Sequence, residues 1–386
     1  MNAIPKPLQG DDNALLAAFL TQVERVPDAV AISGPRGQVR YAGLQAAMNS
    51  FAAGLDRRGV GPDDIVAFAA ERTPESIALL LAIAANGAAW LPIPPCQSDP
   101  RLAELIEQAQ PQLVVGEPAL RAQLPIDAPW VAPGALISPQ TRLDVKPCGA
   151  LAYVQFTLGR HGRTQGTAMR TRAAVELIDW QRRHARLGKA ARTLQFAALD
   201  HECAFREIFG TLATGGTLIL ADDLQCRDLS ALYNLLCTAR VERAFLPAPV
   251  VEMLATVVAR RGGAAPRTLL DVVTAGEQLQ FTPELRALFG SLHDCVLHIQ
   301  YGPTRAEAIA PHELSATSVA PRVLTAGAVQ PHARSAPGQD GPSSGMWQRS
   351  SVAARAAALL RAARDAGRDR GDARTDARRF ARNGTG

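Results

Sequence analysis

The stretch Leu151-Ala-Tyr-Val-Gln-Phe-Thr-Leu-Gly-Arg-His-Gly-Arg-Thr-Gln-Gly166 reads as a strand running into a loop punctuated by Gly159, Gly162 and Gly166. Glycines at these intervals let backbone N–H groups turn inward on phosphate oxygens, and Arg160 and Arg163 add positive charge. The same spacing also suits a plain connection between elements. Glu202 and Arg206 stand at i and i+4, where they can form an ion pair on one helix face. Tyr301-Gly-Pro-Thr304, after the apolar Val296–Gln300, has the form of a proline-containing turn behind a strand. A metal held by a cage of side chains is not expected. Cys96, Cys148, Cys203, Cys226, Cys237 and Cys295 show no C-x-x-C spacing, and the seven histidines form no H-E-x-x-H or paired arrangement. Such dispersed thiols also argue against a disulfide framework and for a reduced, cytoplasmic protein.

The elements that must position these residues alternate along the first three hundred positions. Asp11–Arg25 carries Leu15, Phe19, Val23 and Val26 on one helical face before Pro27. Tyr41–Arg58 repeats the pattern through Leu44, Met48, Phe51 and Leu55 and stops at Gly59. A third helix is expected from Pro74 to Asn86 with Gly87 as its cap. Short apolar strands are expected at Ile65–Ala69, Ala89–Ile93, Leu113–Val115, Leu151–Phe156, Leu194–Ala198, Thr217–Leu220, Ala244–Leu246, Leu269–Val273 and Val296–Gln300. Strands apolar on both faces and separated by helices imply an α/β fold with mostly parallel sheets covered by helices. Ligands of such sheets sit in loops at the carboxyl ends of the strands.

Composition bounds the function class. The chain has 386 residues, 47% hydrophobic, 20% charged and 5% aromatic, the make-up of a globular protein with more than one packed unit. Its longest apolar run, Ile77–Pro95, is broken by Asn86, Gly87 and prolines, which suits a buried helix and strand rather than a membrane span. The start, with Pro5, Pro7, Asp11 and Asp12, carries no signal-peptide pattern. The net charge of +5 is unevenly placed. Residues 321–386 hold 12 Arg, no Lys, 5 Asp and no Glu, a balance of +7, so the remainder stands at −2. A near-neutral body gives no reason to expect nucleic acid binding. The alternating pattern covers 1–313. Residues 314–386, rich in Arg, Ala, Gly and Pro, differ in kind and read either as a disordered arm or as an out-of-frame extension of a truncated gene.

Several blocks, in order, carry a further signal: Pro27-Asp-Ala-Val with Tyr41-Ala-Gly-Leu; Asn86-Gly-Ala-Ala-Trp-Leu-Pro-Ile; Gln195-Phe-Ala-Ala-Leu with Glu207-Ile-Phe-Gly-Thr-Leu and Gly215-Gly-Thr-Leu; Thr274-Ala-Gly-Glu-Gln-Leu279; and Tyr301-Gly-Pro-Thr304. On these, the sequence from about Phe19 to about Pro311 resembles the adenylation domains of nonribosomal peptide synthetases, within the acyl-adenylate-forming ligase superfamily. The resemblance implies an enzyme that joins a carboxylic acid to ATP with Mg²⁺, then passes the acyl group to phosphopantetheine on a partner carrier protein within a synthetase assembly. It places Thr157, Gly159, Gly162 and Gly166 in the phosphate loop, Tyr301 and Gly302 against adenine, Thr304 at the α-phosphate, and Ala275, Gly276 and Glu277 along the nucleotide and acyl pocket. It assigns the acid-selecting pocket to Glu202, Cys203, Arg206, Val273, Ala275, Gln300, Ala308 and Ile309, with Glu202 where amino-acid-selecting members carry an aspartate.

The departures from that pattern weaken the expected activity. The loop motif T-S-G-S-T-G-x-P-K-G has Leu158, Arg160, His161, Thr164 and Gln165 here in place of Ser, Ser, Thr, Pro and Lys. Arg305 stands where the resemblance requires a magnesium-holding glutamate, and a cation cannot ligate a cation. No T-G-D motif follows, the last lysine is Lys189, and nothing in 314–386 resembles the small lysine-bearing lid of these enzymes. The expectations are therefore either a weak or inactive adenylating domain over 1–313, or a non-catalytic docking module of a synthetase assembly, or a non-functional gene product.

Overall fold

Two sheets carry the fold, and at the centre of the smaller one Ile65–Ala69 and Ala89–Ile93 are buried along nearly their whole length, as parallel strands covered on both faces must be. A computed structural model of the chain describes residues 13–69, 71–93, 100–122, 127, 129–139, 144–158, 164–275, 279, 282–292, 294–301 and 310–315. The larger, eight-stranded sheet runs in the order Ala310–Ser315, Val296–Tyr301, Asp271–Ala275, Arg243–Phe245, Arg192–Gln195, Thr217–Leu220, Val30–Gly34, Gly37–Arg40. Its inner pairs are parallel, and only the pairs at its two ends are antiparallel. The smaller, six-stranded sheet runs Trp130–Val131, Leu113–Val115, Ile65–Ala69, Ala89–Ile93, Leu151–Leu158, Thr164–Arg170, parallel except for the last pair.

The two sheets share one core. Helix Pro74–Ala85 is buried almost all round, and helix Glu202–Leu212 buries every residue from Ala204 to Leu212. Apolar side chains of both helices join Phe68, Trp90 and Tyr153 of the small sheet and Ile32, Leu218 and Leu220 of the large one in a single cluster. The aromatic seam is direct: Trp90 stacks on Phe209 with ring centroids 5.4 Å apart, and Tyr153 meets Phe205 at the same separation. Gly87 ends the Pro74–Ala85 helix at φ 73°, and a Cβ there would drive into the carbonyl of Pro147, so no other residue fits.

The structure agrees with the expected fold class and with the full bounds of the strands at 65–69, 89–93, 113–115 and 217–220. Other ends move. The strand expected at Leu194–Ala198 is Arg192–Gln195, and Phe196 and Ala197 have left the sheet. The expected Leu269–Val273 is Asp271–Ala275, because Leu269 is held in a turn to Pro266. Hairpins at Val30–Gly34 with Gly37–Arg40 and at Leu151–Leu158 with Thr164–Arg170 were not foreseen. In the second of these, Gly166 pairs with Phe156 inside the returning strand instead of lying in the loop. The boundary expected at 313 falls within the strand Ala310–Ser315. No described helix is long and apolar enough to cross a membrane.

Candidate active site

Each sheet reverses its strand order at a central strand. From Ile65–Ala69 the chain passes to Ala89–Ile93 on one side and returns to Leu113–Val115 on the other. From Arg192–Gln195 it passes to Thr217–Leu220, then returns to Arg243–Phe245. A crevice opens outside the carboxyl end of a strand at such a reversal, because the two outgoing connections diverge there. The turn Phe196–His201 leads from one of these ends straight into the helix that carries Glu202, Cys203 and Arg206.

That helix starts where His201 accepts the Cys203 N–H on its Nδ1 at 3.2 Å. One turn later Arg206 is wholly inside the protein, 3% exposed, with its guanidinium 5.2 Å from the centre of the Phe245 ring. Phe245 pairs with Val273 on the neighbouring strand, and the two share an apolar cluster with Leu187. Tyr153 reaches the same place from the small sheet, close enough for the charges of Glu202 and Arg206 to act on its phenol. Residues 202, 203, 206 and 273, singled out from the sequence, thus converge. Tyr153 and Phe245 stand beside them and were missed, since only the packing of one sheet on the other brings them there.

Burial governs the electrostatics. It raises the Glu202 carboxyl, and Arg206 pulls it back. Burial lowers the Arg206 guanidinium, opposed by Cys203, Glu202, Tyr153 and Glu207. Burial pushes the Cys203 thiol up to about 12, helped by Glu207, so this sulfur stays protonated and is no nucleophile. The site therefore offers one half-buried carboxyl, one buried cation and neighbouring aromatic rings. This set can orient a small polar or charged group but holds no activated nucleophile.

The remaining sequence-predicted positions fall around this point or beyond the described residues. Thr157 lies near the end of its strand, paired with Gln165 across the hairpin. Ala275 closes its strand opposite Gln300, and Tyr301 is the last residue of that neighbouring strand. Nucleotide-side and acid-side candidates therefore end adjacent parallel strands at the same edge. Gly159, Gly162, Gly276, Glu277, Gly302, Thr304, Ala308 and Ile309 lie outside the described residues, as do Arg160 and Arg305. Among the described residues no three His, Cys, Asp or Glu side chains cluster as a metal site. The described cysteines, Cys148, Cys203, Cys226, Cys237 and Cys295, are free thiols.

At the opposite end of the same strands a buried ionic network fixes their position. Asp271 Oδ1 lies 2.9 Å from His298 Nε2 and accepts from Arg186 Nε at 2.9 Å, while Oδ2 accepts from Arg243 Nη2 at 3.4 Å. Arg186 Nη2 also donates to the carbonyls of Leu270 and Asp294, each at 2.8 Å. The strands that end in Ala275 and Tyr301 are thereby tied together at their starts.

Two helix-covered, mostly parallel sheets that reverse at central strands define an α/β protein of the kind that places ligand sites at the carboxyl ends of its strands. The model of the AMP-binding enzyme family matches residues 19–336, and the chain belongs to that family. Its relatives are nonribosomal peptide synthetases and related synthases. It is 32% identical over 263 residues to the phenyloxazoline synthase MbtB of Mycolicibacterium paratuberculosis, covering 67% of this chain and 22% of that protein. It is 31% identical to the phosphinothricin tripeptide synthetase PhsB of Streptomyces viridochromogenes, covering 78% of this chain and 26% of the other. The chain thus spans about a quarter of the length of these relatives. Among solved structures, the nonribosomal peptide synthetase FmoA3 bound to α-methyl-L-serine-AMP superposes with a TM-score of 0.73 at 23% identity, over 84% of this chain and 37% of that one. The N-terminal subdomain of Klebsiella oxytoca NpsA, in complex with anthranilyl-AMSN, gives 0.68 at 22% identity over 84% and 82%. The described fold is therefore that of such an N-terminal subdomain.

Proposed function

We propose that the chain is the nucleotide- and acid-binding portion of an enzyme that activates an amino acid or another carboxylic acid. In the reaction a carboxylate oxygen of the acid attacks the α-phosphorus of ATP, pyrophosphate leaves, and the acyl-adenylate remains. The acyl group would then pass to the phosphopantetheine thiol of a carrier protein in a cytoplasmic synthetase assembly. The observation that carries this reading is the convergence of Glu202, Arg206, Tyr153, Phe245 and Val273 at the carboxyl edge where both sheets reverse. It is supported by relatives that are peptide synthetases and by fold neighbours bound to acyl-adenylates and their analogues.

In this reading Thr157 with Gly159 and Gly162 holds phosphate oxygens, Tyr301 with Gly302 covers adenine, and Thr304 meets the α-phosphate, while Gly166, paired in the returning strand, takes no part in the cradle. Ala275, Gly276 and Glu277 separate nucleotide from acid. Cys203, Arg206, Val273, Gln300, Ala308 and Ile309 shape the acid pocket, and Glu202 pairs with a substrate ammonium. Gln165 and Arg305 replace a lysine and a glutamate, which lowers turnover by the chain alone; loss of one electrostatic group of this kind often costs on the order of 10²–10³ in rate. Mg²⁺ would be held largely by the nucleotide's phosphates, and no residue of this chain is assigned to it.

The test is ATP–pyrophosphate exchange on the purified chain with pooled amino and aryl acids. Acid-dependent exchange at a low rate is the expected result. Folded protein that neither exchanges pyrophosphate nor binds a non-hydrolysable ATP analogue would overturn the reading.

A further inference from the structure

The turn that leaves the central strand of the large sheet is held at its start by side chains, before the His201 N–H donates to the Ala198 carbonyl at 2.8 Å. Phe196 donates its N–H to Glu207 Oε1 at 3.3 Å, and its carbonyl accepts from Arg72 Nη2 at 3.0 Å and from the Cys226 thiol at 3.6 Å. Ala197 donates its N–H to both Glu207 oxygens, at 3.2 and 3.3 Å, and its carbonyl accepts from Gln195 Nε2 at 2.6 Å. Gln195 Nε2 donates to Glu207 Oε2 as well, at 3.1 Å. Every backbone polar group of Phe196 and Ala197 thus has a side-chain partner, at the place where the sheet stops supplying them.

The two principal holders come from different layers. Arg72 follows the carboxyl end of Ile65–Ala69, the reversal strand of the small sheet, and its Nη1 is fixed by Asp223 at 2.9 Å. Glu207 is fully buried in the middle of the pocket helix, one residue beyond Arg206. Burial pushes its carboxyl up to about 8, against the pull of the Ala197, Gln195 and Phe196 donors and the Arg72 charge. A buried carboxyl unfavourable in this way is a poor choice for stability, and its geometry points to a positional task.

We infer that Arg72 and Glu207 form a clamp between the reversal points of the two sheets, which sets the path of Phe196–His201 and with it the place of Glu202, Cys203 and Arg206 in the acid pocket. Both are positioning residues; neither needs to touch a ligand. The mechanical part of the inference is independent of the proposed reaction, and its consequence for ligand binding rests on that reading.

The experiment uses the full chain as wild type, Glu207→Ala, Glu207→Gln and Arg72→Met. Hydrogen exchange would be followed in peptides covering 192–206, with Cys203 alkylation by iodoacetamide read from the same peptides, and binding of AMPPNP together with a pooled acid mixture by calorimetry. Global unfolding midpoints are recorded alongside. The expected result is at least tenfold faster exchange at Phe196 and Ala197 and at least fivefold faster Cys203 alkylation in Glu207→Ala and Arg72→Met. Exchange over 217–220 and 30–40 should stay unchanged, and Glu207→Gln, which keeps an acceptor oxygen, should lie nearer wild type. Equal exchange and alkylation in all four proteins would overturn the clamp. So would faster exchange at 196–197 with Cys203 alkylation unchanged, because the turn would then not set the helix. If Arg72→Met alone stays folded, its exchange and alkylation decide the matter. Failure of the wild type to bind AMPPNP would count against the proposed function, while the exchange and alkylation results would still decide the clamp.

Discussion

Removing the Asp271 carboxylate should be among the most damaging single changes in the large sheet. Asp271 is the acceptor shared by His298, Arg186 and Arg243, and Arg243 is 1% exposed with no other carboxylate bonded to it among the described residues. Breaking a buried pair by deleting one partner typically costs about 3–5 kcal/mol, because the other charge is left uncompensated. The carboxyl's own titration supplies an independent figure. Burial would raise it, but hydrogen bonds from His298 and Arg186 and the charge of Arg243 win, and it falls from 3.8 to about 2. At 1.36 kcal/mol for each pH unit, that depression corresponds to about 2–3 kcal/mol. The sign follows from linkage. A carboxyl whose folded value is depressed contributes fully above its unfolded value of 3.8 and loses that contribution as pH falls from 3.8 towards 2. Urea unfolding of Asp271→Ala and wild type, followed by tryptophan fluorescence, should therefore show a gap of about 3 kcal/mol that is constant between pH 5 and 8 and shrinks below pH 4. Asp271→Leu combined with Arg243→Met should recover most of the loss, since a buried ion pair replaced by apolar groups of similar volume is often neutral or better. A gap under about 1 kcal/mol at pH 7, or one that does not narrow in acid, would refute the assignment of Asp271 as the centre of this network.

Other expectations concern the turn, the pocket and the loop. Gly87→Ala should destabilise the chain by more than about 1 kcal/mol in the same unfolding assay, since alanine at φ 73° is strained and its methyl group meets the Pro147 carbonyl. Arg206→Leu should raise the Glu202 carboxyl further by removing the cation that opposes burial, and in pyrophosphate exchange it should change which acids of a pool are accepted; an unchanged acid profile would place Arg206 outside the pocket. Gln165→Lys with Arg305→Glu should raise acid-dependent exchange on the order of 10²-fold, and no gain would show that the resemblance misassigns those two positions.

Much of the fold was legible because its buried strands are local signals. A short apolar run between polar residues, as at residues 65–70 between Asp64 and Glu71, needs no distant information to be read as a covered parallel strand. The errors lie where distant side chains decide. Phe196 and Ala197 continue an apolar run, yet they leave the sheet because Glu207 and Arg72 take their backbone groups, and those partners stand 10–11 and 124 residues away. The first hairpin was missed for a different reason: the burial of Val30–Gly34 is confined to Ala31 and Ile32, and Gly37–Arg40 has no buried residue, too little to mark a strand by hydrophobicity. The division of the strands into two sheets was not legible either. Parallel strands rich in aliphatic residues are interchangeable neighbours until the crossover connections choose between them.

The acid pocket joins both cases. Glu202, Cys203 and Arg206 could be singled out from their motif, but an i, i+4 acid–base pair by itself fits a solvated helix face equally well. What separates the readings is the surroundings. Arg206 is buried over Phe245, Tyr153 comes from the other sheet, and the helix end stands at a strand reversal. A charged pair placed there incurs desolvation that a surface pair avoids, and exposed pairs contribute only about 0–1 kcal/mol in any case. Stability gives no reason to keep it inside. A ligand that needs both charges would, and this is the ground on which we propose Glu202 and Arg206 for recognition rather than for helix stability.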